Sequence, residues 1–242
     1  MRVILLSYDA NHEDIYHTIM SYEHHWPNNK FIFRVPWNTI YPSEIVERFG
    51  DKIEPIQTPS EVKPTINNLL QGIDDNEWVL WNVGDFYIHE LNAEEADIVY
   101  EWVTLQDDPS IHNVVFSWCK GIPSSITDES EEYKGLKFFK RRNTEHQWFC
   151  SFYRAKIIRQ IFNELDEPRP GNMKDIDHQM ERDNHSIFND HKVGKWYAVD
   201  RNIMTQGESR YRSLLTKNGA DSFKKLGCPI KSEITEHVRM IR

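Results

Sequence analysis

Trp78-Val-Leu-Trp-Asn-Val-Gly84-Asp85-Phe86-Tyr-Ile-His89 is the stretch that decides how this chain folds. Trp78 to Val83 are aromatic, aliphatic or β-branched apart from one Asn. Such a run reads as a strand covered on both faces, as strands of parallel sheets are. Gly84 and Asp85 then fall at or just past its carboxyl end. In an open α/β sheet that edge is the crevice where ligands bind. Gly84 lets another group approach the backbone closely, and Asp85 brings a carboxylate to the same place. That carboxylate has two readings. Either it holds Mg²⁺ or Mn²⁺ against a diphosphate, since hard cations take oxygen ligands and share them with phosphates, or it caps a turn.

Outward from this strand the pattern alternates. Val3 to Leu6 is a short aliphatic strand that breaks at Ser7-Tyr8-Asp9. A helix follows from Glu13, with Ile15, Tyr16, Ile19, Met20 and Tyr22 as its apolar stripe, and Phe31 to Val35 is a second strand. This β-α-β opening favours a doubly wound sheet. Pro64 suits the first turn of a helix through Ile66, Leu69 and Leu70. Beyond the deciding stretch, Ala93 to Leu105 reads as a helix and Asn113 to Trp118 as a strand. The polar run from Ser124 to Lys134 reads as a loop, Leu136 to Lys140 as a strand, and Tyr153 to Phe162 as a helix. Pro168-Arg-Pro-Gly-Asn is a strong breaker ahead of a polar helix over 175–188, and Trp196 to Val199 is the last strand. With no repeat and no linker, residues 1–242 are expected to form a single α/β domain, Rossmann-like, with a mostly parallel central sheet flanked by helices.

Composition narrows the function. Aromatics make up 12% of residues, with eight Trp, so a packed core is available. A net charge of -9 repels phosphate backbones, and no nucleic-acid partner is expected. Cys119, Cys150 and Cys228 have no C-x-x-C spacing and read as buried thiols of a reducing compartment. The apolar run after Met1 is too short for a signal sequence, and no stretch approaches the ~20 apolar residues of a membrane span. A cytoplasmic protein is expected, with peripheral membrane contact open. HExxH, GxxxxGK[ST], GxGxxG and GxSxG are all missing, which removes zinc-hydrolase, P-loop, dinucleotide and α/β-hydrolase readings.

The order of elements resembles that of GT-A-type glycosyltransferases. More narrowly, it resembles a bacterial group whose strand ends in a hydrophobic-hydrophobic-x-x-Asp-Asp-Tyr/Phe signature, here Val79 to Tyr87. The helix from Ser60 to Ile73, the aromatic-rich Gln147 to Lys156 segment and the acidic helix carrying Glu181 agree in order and spacing. The resemblance implies a nucleotide-sugar donor and a glycan or glycolipid acceptor. Because Gly84 stands where the first Asp of the pair is expected, a metal-facing role transfers to Asp85 alone. A divalent cation, Mn²⁺ or Mg²⁺, is then held by one protein carboxylate; metal independence and loss of activity stay open.

Four other groups of residues fit this frame. Asp177 and Glu181 share a helix face. The resemblance makes one of them, Glu181 before Asp177, the base that deprotonates the acceptor hydroxyl in an inverting transfer; the alternative is a solvated charged helix. Ser7, Tyr8 and Asp9 lie where GT-A domains contact the nucleotide, with a ring to stack on the base and a carboxylate for ring nitrogens or ribose, unless they are an ordinary strand-to-helix turn. Lys63 would reach a phosphate or face solvent. Arg210 and Arg212 would neutralise the diphosphate from a lid made flexible by Gly207, or belong to a basic surface loop. Two rivals to glycosyl transfer remain: a GT-A-like domain that binds nucleotide or glycan without turnover, and a nucleotidyl or phosphate-ester enzyme. The latter wants paired acids, which Asp85 does not have beside it.

Overall fold

The computed structural model describes residues 1–118, 122–142, 150–166, 194–211 and 213–241. The first half of the chain is a run of βα units: β1 (Arg2–Leu6), α1 (His12–His25), β2 (Ile32–Trp37), α2 (Ser43–Phe49), β3 (Ile53–Gln57), α3 (Val62–Leu69) and β4 (Trp78–Val83). These strands pair in parallel in the order β3-β2-β1-β4. The chain steps outward from β1 to β3 and then crosses back to the other side of β1. Alternation along β1 explains the two faces. Val3 and Leu5 pack with Ile15, Ile19 and Tyr22 of α1 and Ile45 of α2, while Ile4 and Leu6 pack with Ile66 and Leu69 of α3.

The second half adds β5 (Phe86–Leu91), α4 (Ala93–Thr104), β6 (Ile111–Val115), α5 (Ile122–Ser125), β7 (Ile126–Tyr133), β8 (Leu136–Arg141), β9 (Ser151–Arg154), α6 (Ala155–Glu164) and β10 (Lys195–Val199). It closes with β11 (Met204–Glu208), β12 (Arg210–Tyr211), β13 (Leu214–Leu215), α7 (Lys217–Lys225) and β14 (Met240–Ile241). The central sheet is nine-stranded, β3-β2-β1-β4-β9-β6-β10-β8-β7. Only β9 and β8 run against the rest. The protein is thus an α/β fold with a large, mostly parallel sheet flanked by helices. A second, small sheet, β14-β11-β5, begins directly after Asp85.

Two expectations from the sequence are corrected. Ser124 to Lys134 is not a loop: Ser124 and Ser125 end α5, and Ile126 to Tyr133 form edge strand β7 against β8. The hairpin turns on Lys134 (φ 46°) and Gly135 (φ 83°), the positive-φ pair that two-residue hairpins require, and charge is normal on an edge strand. Likewise Tyr153 and Arg154 are not helical. They end β9, a wholly buried strand inserted antiparallel between β4 and β6, and α6 starts only at Ala155. Smaller boundary changes put α3 at Val62 rather than Pro64. Cys150 and Cys228 are free and buried, and Cys119 lies outside the described residues.

Candidate functional site at the sheet switch point

β1 and β4 mark the place where strand order reverses, and such switch points open a crevice at the carboxyl edge. Their pairing runs to Leu6 opposite Val83 and is extended by the Gly84 N–H donating to Leu6 O at 2.9 Å. Ser7-Tyr8 and Gly84-Asp85 therefore emerge side by side. The contact is tight: a Cβ on Gly84 would lie 2.7 Å from Ser7 Oγ and 2.8 Å from Ser7 Cβ. This close approach leaves no room for a larger side chain at position 84 unless Ser7 shifts. Ser7 is buried with its hydroxyl unpartnered, and Tyr8 is 52% exposed.

Asp9 is committed to the protein itself. Its carboxylate accepts from Asn38 N at 2.6 Å, Thr39 N at 2.7 Å, Thr39 Oγ1 at 2.8 Å and Ile40 N at 2.9 Å, tying the tip of β1 to the loop after β2. Burial pushes its pKa up, but these donors outweigh that and bring it to about 2. Lys63, in the first turn of α3, donates to Asn163 O of α6 at 3.2 Å.

Asp85 is partly exposed at the turn between β4 and β5. Burial of its carboxyl group, then the negative charges of Glu208 and Asp14, push its pKa up to about 7, opposed by its own backbone N–H and by Arg210. The turn's main chain is held at three successive carbonyls. Thr18 Oγ1 of α1 donates to Gly84 O at 2.9 Å, Ser209 N to Asp85 O at 2.8 Å, and Asn82 Nδ2 to Phe86 O at 3.0 Å. Asn82 in turn accepts from Gln206 Nε2 at 3.1 Å.

The stretch from Thr205 is a strand rather than a flexible lid. β11 pairs antiparallel with β5, and Gly207 lies beneath Tyr87, where a Cβ would come within 2.3 Å of the ring. Arg210 Nε donates to Asp14 Oδ1 at 2.9 Å and Oδ2 at 2.8 Å, and Nη2 to Glu13 Oε2 at 3.1 Å. Asp14 also accepts from Ser209 Oγ at 2.8 Å. Burial raises the Asp14 carboxyl above its ordinary value against the pull of Arg210. Arg210 is therefore fastened to α1, and its charge reaches Asp85 through space. Glu208 is paired with Arg239 at 2.8 Å.

The crevice thus gathers Ser7, Tyr8, Asp9, Asp85 and Arg210. Lys63 lies at the same edge beyond β3, on the opposite face of the sheet from α1. Asp177, Glu181 and Arg212 lie outside the described residues. Sequence reasoning missed Asp14, Thr18, Glu208 and Ser209. One signal was present: Asp14, His17, Thr18 and Ser21, at helical spacing, are a buried polar stripe of α1.

Among the described residues no group of three or more His, Cys, Asp or Glu could hold a metal ion. One carboxylate beside a glycine suits a cation that arrives on a diphosphate, sharing its oxygens, better than one resident in a protein cage. No helix among the described residues is long and apolar enough to cross a membrane.

No family model matches the sequence, and no curated protein matches it. Solved structures with similar architecture include the galactosyltransferase LgtC in complex with donor and acceptor sugar analogs. It is 12% identical, with 99% of this chain and 86% of that one covered, at a TM-score of 0.43. The glycosyltransferase GlyE of Streptococcus pneumoniae TIGR4 is 9% identical over 77% of this chain and 44% of its own, at 0.45. The 4-diphosphocytidyl-2C-methyl-D-erythritolsynthase of Anaerococcus prevotii is 10% identical over 93% and 95%, at 0.43. The chain spans 65% of the length of an LgtC active-site mutant and less than half of GlyE. Likeness at these scores carries nothing about the chemistry of the site.

Proposed function

We propose that residues 1–242 act as one nucleotide-sugar-dependent glycosyltransferase domain, moving a sugar from a nucleoside diphosphate to a hydroxyl of a glycan or glycolipid. The observation that carries this reading is the meeting of Ser7-Tyr8 with Gly84-Asp85 at the switch point between β1 and β4. There the exposed Tyr8 ring stacks on the base, and the unpartnered Ser7 hydroxyl meets the nucleotide's polar edge. Asp9 shapes the base pocket through the 38–40 loop that it holds. Asp85 faces the diphosphate, with Lys63, Arg210 and Arg212 adding positive charge around it.

Asp85 would hold a Mn²⁺ or Mg²⁺ ion arriving with the donor, and that ion would supply electrostatic stabilisation where leaving-group charge develops. Glu181, or Asp177 in its place, accepts the proton of the acceptor hydroxyl. The acceptor oxygen then bonds to the anomeric carbon as the bond to the diphosphate oxygen breaks, with inversion at that carbon. A cytoplasmic location suits such a donor, with peripheral membrane contact where the acceptor is lipid-borne.

One feature favours a second reading, a domain that binds nucleotide or glycan without turnover. Ser7 closes the position of a second acid, leaving Asp85 alone and half-protonated near neutral pH. Thermal shift with nucleoside diphosphates and their sugars, with and without Mn²⁺, tests both. A true donor at a hundredfold excess over Kd stabilises by about 2.7 kcal/mol. No shift with any of them rejects the transferase and the nucleotide-binding domain alike. A shift without donor consumption on any acceptor leaves only the binding domain. Full turnover in Glu181→Gln rejects the base assignment.

A further inference from the structure

α1 carries two buried stripes, one of them polar. Ile15, Ile19 and Tyr22 pack into the core of the large sheet, as any amphipathic helix would arrange. Asp14, His17, Thr18 and Ser21 are each 0% exposed and face the small sheet instead. Buried polar groups are costly unless hydrogen-bonded, and apolar residues would fill the same space. What the polar stripe contributes is a set of fixed bonds to one turn. Thr18 Oγ1 donates to Gly84 O at 2.9 Å. Ser21 Oγ accepts from Ile88 N at 2.9 Å and donates to Thr18 O at 2.7 Å. Asp14 holds Ser209 Oγ at 2.8 Å, and Ser209 N holds Asp85 O at 2.8 Å. The main chain on both sides of Asp85 is therefore registered against one rigid helix.

We propose that Thr18, supported by Asp14 one turn before it, is a positioning residue that sets where the Asp85 carboxylate stands, acting through the carbonyls of Gly84 and Asp85. The proposal rests on the reading in which Asp85 faces a metal-bound diphosphate. Thr18 touches neither diphosphate nor sugar; its role is carried by the turn. A cross-link of this kind confers geometric precision, because a carboxylate displaced by about 1 Å no longer meets its partner well.

The test compares Thr18→Val, which keeps the shape and removes the donor, with Thr18→Ser, which restores it. Val79→Ala, in the core between β1 and α3, serves as a control for lost stability. The first measurement is the affinity for UDP, GDP, CDP and ADP, each alone and with Mn²⁺. Thr18→Val is expected to weaken the Mn²⁺-dependent gain in affinity about fivefold, the worth of roughly one hydrogen bond, and to leave binding of the metal-free nucleotide unchanged. Thr18→Ser recovers the gain and Val79→Ala keeps it. An unchanged gain in Thr18→Val, or an equal loss in Val79→Ala, overturns the proposal. The second measurement is the backbone amide NMR signals of Gly84, Asp85 and Phe86. These move in Thr18→Val, return in Thr18→Ser and stay in place in Val79→Ala; if they stay in place in Thr18→Val, the proposal falls. Should the wild-type chain bind no nucleotide, the donor reading fails by itself, and the amide signals still decide the positioning.

Discussion

The two sheets meet the same helix but are held to it by different forces. The large sheet receives Ile15, Ile19 and Tyr22 as packing, whereas the small sheet and the turns bordering it receive Asp14, Thr18 and Ser21 as hydrogen bonds. Apolar packing is non-directional and tolerates small slips; a bonded turn is directional and does not. The difference teaches where this chain places its rigidity. The sheet that supplies stability is greasy, and the turn that carries Asp85 is fixed by named donors and acceptors.

Substitutions can break this comparison from either side. The largest effect is expected in Asp14→Ala, which takes the bidentate carboxylate from Arg210, leaves that guanidinium with Glu13, unpairs the buried Ser209 hydroxyl, and costs about 4 kcal/mol in urea unfolding. Removing Arg210 as well, in an Asp14→Ala/Arg210→Met pair, should recover most of that loss; no recovery would mean that the pair is not what Asp14 serves. Leu80→Ala, in the core of the large sheet, should cost about 3 kcal/mol, and no polar second change should relieve it. Gly84→Ala forces its Cβ against Ser7 and should cost about 2 kcal/mol, with a new turn geometry visible in the Asp85 amide signal.

Smallest for each step of the measurement are the pH slopes, at most about 1.4 kcal/mol per pH unit, and both arise on the small-sheet side. Asp85 rises from 3.8 to about 7 on folding, mainly by burial, so the folded state binds the extra proton between those values. Stability therefore falls as pH rises across that window, and Asp85→Asn should flatten this slope. His17, stacked on Phe223 and bonded to Ser222, is lowered by burial from 6.5 to about 3. There the unfolded state binds the proton, so stability falls as pH drops below 6.5, and His17→Gln should remove that loss. Urea melts across the pH series read both, and a Leu80→Ala background should leave the two slopes unchanged.

Legibility in the sequence followed the same division. β1, α1, β2, β4, α4 and β10 were readable because aliphatic runs and apolar stripes mark elements that pack on a large sheet. β5 and β11 were not. Thr205-Gln-Gly-Glu reads as a polar, flexible loop, since nothing local says that Gln206 is fully buried on Asn82 and Cys150 N. Tyr153 misread as helical for a related reason: a four-residue buried strand leading straight into α6 has no period of its own. At the candidate site, Gly84-Asp85 was legible as the carboxyl end of a strand, because a strand end after a buried run is a local signal. Asp14 and Thr18 escaped because their partners lie far along the chain, at Ser209, Arg210 and Gly84, and a polar residue inside an apolar-looking helix resembles its solvent face. Asp9 was read for its carboxylate alone, which the amides of the 38–40 loop occupy.

The contact between Ser7 and Gly84 also acts as a lock in sequence space. An acid at position 84 arrives beside a hydroxymethyl group less than 3 Å away, so Gly84→Asp as a first step is penalised before it can help. Once residue 7 is glycine, a Cβ at position 84 meets Ile15 Cγ1 at 3.4 Å, an ordinary contact, and the sign of the change can reverse. The route to a two-acid strand end is therefore ordered, Ser7→Gly before Gly84→Asp, and a library that samples position 84 alone would return glycine.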